Sequence, residues 1–194
     1  TYLFNIIMMQ LVGEHGVAAI TILLYGQFLF NAFYLGFTIG ISPIVGFQYG
    51  AGDKQKLRNI YHTSFLFVAV SSVFMAVIDI ILSPAIVTIF TDDPATYELA
   101  AVGFRLFAIN FLFSGISITS SGFFTALSNG TISAVISFCR TLGFIVLSLL
   151  ILPKFLGITG AWIAIPVAEF CTLLVTGVMH LVYFWKPGIR NYLR

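Results

Sequence analysis

The sequence predicts an all-α polytopic membrane protein, and three observations lead there. Hydrophobic residues make up 59% of the 194 positions and charged residues 8%, whereas about a quarter of a soluble domain is charged. The apolar runs exceed 20 residues, the length of a membrane helix rather than the ten-residue alternating segments of an outer-membrane barrel. Polar residues inside those runs recur every three or four positions, as on one side of a helix. The net charge is +2, and the basic residues sit at the ends of spans, which points to topology rather than to nucleic acid. Cys139 and Cys171 lie inside apolar runs without Cys-x-x-Cys spacing and read as packing residues.

Six helices are expected, at about 1–13, 17–45, 57–82, 98–127, 131–152 and 160–185. The chain opens on Thr1 within an apolar run that lacks a basic leader, so the first helix reads as the outer end of a truncated span. Gly13 to Gly16 then form an exterior turn. The second helix is expected to organise the bundle. Gln27, Asn31, Tyr34, Thr38 and Ser42 form a polar stripe along it, while Gly36 and Gly40 on the opposite side offer a small-xxx-small face for close helix packing. Pro43 should kink or end this helix, with Gly46, Gly50 and Gly52 loosening the backbone beyond it. Lys54, Lys56 and Arg58 come next, as in a short loop retained in the cytoplasm.

The third helix runs outward and should break at Pro84, which places Asp79 near the outer interface. Asp93, followed by Pro94, is expected to cap the fourth helix. That helix repeats the second: Asn110, Ser114, Ser117, Ser121, Thr125 and Ser128 form one stripe, with Arg105 opposite. The fifth carries Ser133, Ser137, Arg140, Thr141 and Ser148 on a broad face, and Arg140, ten residues inside the span, should face protein or water. Leu152 to Trp162 form the last exterior loop. The sixth presents Glu169, Thr172, Thr176, His180 and Tyr183, ends at Trp185 and is followed by Lys186, Arg190 and Arg194. Six basic residues then lie inside and one, Lys154, outside, in keeping with the positive-inside rule.

No enzyme constellation emerges. The spans offer one aspartate, Asp79. Ser121 has a partner candidate in His180 but lacks the glycine two positions before a nucleophile. His15, His62 and His180 occupy separate segments, so no metal-ligand spacing exists. Polar stripes with titratable groups instead suit transport through a bistable bundle, with Glu169 and His180 as candidates for the groups that change charge.

Five segments carry a family resemblance. SPIVGFQYGAGDKQKLR (42–58) resembles the loop that closes the second helix of a lobe in the multidrug and toxic compound extrusion (MATE) transporters, with Pro43, Gly46 and Gly50 in register. IFTDDP, SFCRTL around Arg140, the Gly-x-x-Gly-Ala-Trp that begins at Gly157, and Pro166 three residues before Glu169 resemble other parts of the same family. The resemblance implies the C-terminal six-helix lobe of a twelve-helix, two-lobe transporter, its N-terminal lobe lying outside this chain. It implies export of bulky, hydrophobic or cationic drugs across the plasma membrane in exchange for Na+ or H+, with no cofactor beyond the coupling ion and the C-terminus in the cytoplasm. The expected partners are those substrates, the lipid bilayer and the N-terminal lobe, with no nucleic acid. Members that carry an aspartate in the fourth helix of this lobe differ from this chain, which has Ser or Thr along the stripe, so their ion site does not carry over. A lipid-linked oligosaccharide flippase of the same superfamily should show several cationic residues for a pyrophosphate, and here Arg140 stands alone. A scaffold subunit would use the same stripes only as packing glue.

Overall fold

A computed structural model describes residues 1–185, the last two in backbone only. The chain is all-α: α1 (Tyr2–Val12), α2 (Glu14–Gly50), α3 (Lys54–Phe90), α4 (Pro94–Ala126), α5 (Gly130–Phe138), a π-helical turn (Cys139–Gly143) and α6 (Phe144–Trp185). Among the described residues, α2, α3, α4 and the stretch from Gly130 to Tyr183 are long and apolar enough to cross a membrane. The expectations for Trp185 as an interface residue and for Lys186, Arg190 and Arg194 lie outside the described side chains.

The stretch from Gly130 to Tyr183 holds two passes. Gly157 has φ 56° and ψ −134°, a conformation open to glycine and closed to residues with a Cβ. A Cβ on Gly160 would run into the carbonyl of Leu152, although eight residues of straight helix span about 12 Å. The chain therefore doubles back, and residues 144–156 and 158–185 lie antiparallel. The exterior loop expected from Leu152 to Trp162 contracts to a bend at Gly157, because helix takes up both of its flanks.

Two expected helix ends are not ends. α2 continues through Pro43 to Gly50, and α3 continues through Pro84 to Phe90. Ending a helix inside lipid would strand several donors and acceptors, whereas a proline removes one hydrogen bond. In α3 even that loss is covered. The Ile80 carbonyl that the Pro84 nitrogen would have served accepts from Ser83 Oγ at 3.0 Å.

Helix starts follow the sequence more closely. Asp93 accepts from the Thr96 amide at 2.8 Å, with Pro94 in the first turn of α4. Asp53 and Asn129 cap α3 and α5 in the same way. The turn expected over Gly13 to Gly16 is shorter, since α2 begins at Glu14.

The bundle centres on α4 rather than on α2. Phe104, Phe107, Phe111, Ser114, Ser117 and Phe124 are all buried, because α2, α3 and α6 all pack around α4. Close approach is set by glycines of α4. A Cβ on Gly115 would stand 2.5 Å from Tyr34 Cε1 and 2.9 Å from Ser72 Oγ, and one on Gly122 would meet Thr38 Cγ2. Gly36 and Gly40, expected to supply the packing face of α2, instead have open space where a Cβ would be.

Two apolar clusters close the ends of the lobe. One gathers Met8, Ile20, Val87, Phe104, Leu149 and Trp162. The other gathers Val45, Leu57, Phe124, Ile136 and Tyr183. The second lies at the end that bears Lys54, Lys56 and Arg58, so the helices alternate in direction as the charge pattern requires.

Candidate functional site

Arg140 belongs to the π-turn, in which the Phe144 amide bonds the Cys139 carbonyl five residues back. Such widened turns occur mostly as single insertions in α-helices, often at functional sites. Across the bend at Gly157, Glu169 lies on residues 158–185, three positions after Pro166. Arg140 Nε donates to Glu169 Oε1 at 2.8 Å, and the two side chains are 19% and 2% exposed. A guanidinium and a carboxylate in this setting each need the other, since neither is solvated enough to stand alone.

The pair lies in a cleft between α2, α4 and the α5–α6 hairpin. One chamber of about 370 Å³ is lined by Gln27, Asn31, Leu35, Ile118, Arg140 and Glu169. A second, of about 210 Å³, is lined by Thr38, Ser117, Ser121, Ser137 and Arg140. Leu35, Ile118 and Arg140 belong to both, so the chambers join at the guanidinium. Arg140 is ten residues beyond Gly130, about 15 Å along the axis, close to the midpoint of a hydrocarbon core about 30 Å thick.

Several polar atoms at the cleft have no hydrogen-bond partner among the described residues. They are Asn31 Oδ1, Glu169 Oε2 and Ser117 Oγ. Buried polar groups are ordinarily paired, so each marks a place for water, an ion or a ligand. Ser121 is satisfied, by the hydroxyls of Ser133 at 2.9 Å and Ser137 at 2.8 Å.

Other residues of the sequence-derived stripes go elsewhere. The Tyr34 hydroxyl donates to Ser72 Oγ at 3.4 Å in the seam between α2 and α3. Asn110, Ser114 and Thr176 are buried and leave side-chain atoms unpartnered among the described residues. Thr172 Oγ1 bonds the Ala168 carbonyl at 2.8 Å. His180 reaches Tyr61 OH at 3.2 Å and Ser120 Oγ at 3.0 Å among aromatic rings, pinning α6 to α3 and α4. Pro43, Gly46 and Gly50 lie within the last turns of α2, where Gly46 passes the Ala126 carbonyl.

Asp79 adds a buried carboxylate away from the cleft. The side chain is fully buried in the bundle, and neither oxygen has a hydrogen-bond partner among the described residues. α3 continues to Phe90, eleven residues or about 16 Å past Asp79. Ser64, Ser71, Ser72 and Ser83 are buried on the same helix. Ser64 and Ser71 stand seven apart, and Ser72, Asp79 and Ser83 follow at seven and four, which was the available sign.

Outside the membrane segments, His15 Nδ1 meets Asp93 Oδ2 at 2.8 Å and ties the start of α2 to the start of α4. Asp93 also accepts from the Thr96 hydroxyl at 2.6 Å. The Thr96 hydroxyl, then the Thr96 amide, then the charge and hydrogen bond of His15 hold this carboxyl below the ordinary aspartate value.

The sequence and the fold have known counterparts. The chain is 28% identical to Multidrug and toxin extrusion protein 1 of Homo sapiens over 143 residues, 71% of this chain and 24% of that protein. The Pongo abelii protein of the same name matches equally. Among solved structures, an outward-facing multidrug resistance MATE family transporter of the MOP superfamily superposes with a TM-score of 0.85 at 19% identity, over 93% of this chain and 41% of that one. The bent form of the Vibrio cholerae MATE transporter VcmN gives 0.85 at 18% identity, over 98% and 42%. A MOP superfamily transporter from Pyrococcus furiosus, described by a reversed polarity of its binding pocket, gives 0.84 at 19%, over 95% and 43%. The chain thus spans about a quarter of the length of these curated relatives and about two fifths of the solved transporters. With the MatE family model matching residues 1–150, the chain belongs to the MATE family of transporters.

Proposed function

We propose that the protein to which this lobe belongs exports bulky apolar or cationic compounds by alternating access, in antiport with Na+ or H+, and that the cleft between α2, α4 and the α5–α6 hairpin is this lobe's share of the pathway. The observation that carries the reading is the cleft itself, a recess near mid-depth that holds Gln27, Asn31 and a buried ion pair among apolar side chains. Ionisable groups at such depth are costly in lipid and mark ion or substrate pathways. Glu169 Oε2 and Asn31 Oδ1, both without partners among the described residues, are acceptors suited to a coupling cation. Apolar walls beside them suit hydrophobic substrates. The relatives' names, which speak of multidrug and toxin extrusion, support the substrate class.

The N-terminal lobe of the same protein would form the facing wall. The basic turn at Lys54, Lys56 and Arg58 supports a cytoplasmic position for that end of the lobe under the positive-inside rule, in a protein of the plasma membrane. The test is dye efflux from vesicles that contain the full-length protein, under an imposed Na+ or H+ gradient. Gradient-driven efflux that falls when Gln27, Asn31 and Glu169 are changed to Ala is the expected result. Efflux unaffected in correctly folded variants would remove the cleft from the pathway.

A further inference from the structure

We propose that the chamber between α4, α5 and α2 is an anion subsite, in which the Arg140 amino groups and the Ser117 hydroxyl receive a carboxylate carried by a small aromatic or aliphatic compound. A guanidinium carries five N–H bonds in a planar fork, and Arg140 commits Nε to Glu169. Its two terminal amino groups meet no acceptor among the described residues, yet the side chain keeps 19% of its surface open toward the cleft. Ser117 is fully buried, lines the same chamber, and its hydroxyl has no partner among the described residues.

The surroundings favour a negative group there. The lining contains Thr38, Ser117, Ser121 and Ser137 but no carboxylate, and Arg–carboxylate pairs in such settings are frequently bidentate. The adjoining chamber has the opposite character. It presents acceptors, Glu169 Oε2 and Asn31 Oδ1, without partners among the described residues. Donors on one side of Arg140 and acceptors on the other suit an amphoteric molecule, with its anionic end toward Ser117 and its cationic end toward Glu169. Leu35, Ile39, Ile118 and Ile136 supply an apolar wall for the body between. Calling such a molecule a substrate rests on the export reading; the binding of a carboxylate beside Arg140 does not.

The experiment compares benzoate with benzamide, its neutral isostere, as ligands of the purified full-length protein at fixed pH and sodium concentration. Binding is read from the unfolding midpoint, which rises with ligand bound to the folded state. Benzoate should raise the midpoint and benzamide should not. Arg140→Lys, which keeps the charge and loses the fork, should weaken benzoate about tenfold or more. Because that variant also disturbs Glu169, Ser117→Asp provides an independent arm: it places a carboxylate in the chamber and should abolish the benzoate shift. Equal shifts with benzoate and benzamide, or a benzoate shift unchanged in Ser117→Asp, would overturn the subsite. Dye efflux from vesicles separates this from the export reading. Efflux without benzoate binding removes the subsite alone, while Arg140-dependent benzoate binding in a protein that exports no dye retains the subsite and removes the exporter.

Discussion

Arg140 and Glu169 meet at 2.8 Å across the bend at Gly157, although 29 positions separate them. In an unbroken helix they would stand about 43 Å apart. The contact therefore holds the α5–α6 hairpin closed as well as furnishing the cleft. Removing one partner of a buried pair leaves the other uncompensated, so Glu169→Ala should cost about 3–5 kcal/mol of stability. Glu169→Gln retains an acceptor for Nε and should cost less. Thermal unfolding of the purified variants ranks them. In efflux assays Glu169→Gln should lose coupling to the ion gradient, and ordinary gradient-driven efflux by that variant would take Glu169 out of the mechanism.

Ser83 supports α3 where Pro84 interrupts its hydrogen bonding. Ser83→Ala should leave the Ile80 carbonyl bare at a cost of about 1–3 kcal/mol. Adding Pro84→Ala restores a backbone donor to that carbonyl, so the double variant should recover most of the loss. A double-mutant cycle on unfolding midpoints reads the coupling, and strictly additive effects would contradict it.

Gly115 sets the distance between α4 and the Tyr34–Ser72 pair. Gly115→Ala should destabilise by about 1–3 kcal/mol through overpacking. The same substitution in a Tyr34→Ala background should cost less, because the ring that its Cβ would meet most closely is gone and only Ser72 Oγ, at 2.9 Å, remains close. An equal cost in both backgrounds would show that the crowding lies elsewhere.

Asp93 gives its end of the lobe a pH dependence of defined sign. Its carboxyl is held low in the folded protein, first by the Thr96 hydroxyl, so its stabilising effect is complete above the unfolded value of about 3.9 and fades as pH falls through the lower folded value. The unfolding midpoint of the unsubstituted protein should therefore drop more steeply below about pH 4 than that of Asp93→Asn. Parallel curves would mean that the cap and His15 add nothing in the ionised state.

Much of the lobe is legible in the sequence because lipid imposes simple rules. Length and apolarity mark the spans, Asp93 with Pro94 marks a helix start, and Gln27, Asn31, Thr38, Ser117, Ser121, Arg140 and Glu169 all reach the cleft from their stripes. A stripe, however, names one side of a helix and leaves the neighbour on that side unnamed. Tyr34 and His180 thus went to seams with Ser72 and with Tyr61 and Ser120. Pro43 and Pro84 misled because helix breaking is a rule of water, where freed backbone groups find solvent. Gly36 and Gly40 show that a small-residue face states a capacity for close approach and leaves open what approaches.

The π-turn has a consequence for rotational phase. Five residues per ring instead of four insert one extra position into the rod, and one position is worth about 100° of azimuth. Ser133 and Ser137, upstream, can point at Ser121, while Ile145 and Leu149, downstream, are aimed independently at other neighbours. Excising a single residue between 139 and 143 would force both segments onto a common setting, and one set of contacts would have to yield to the other.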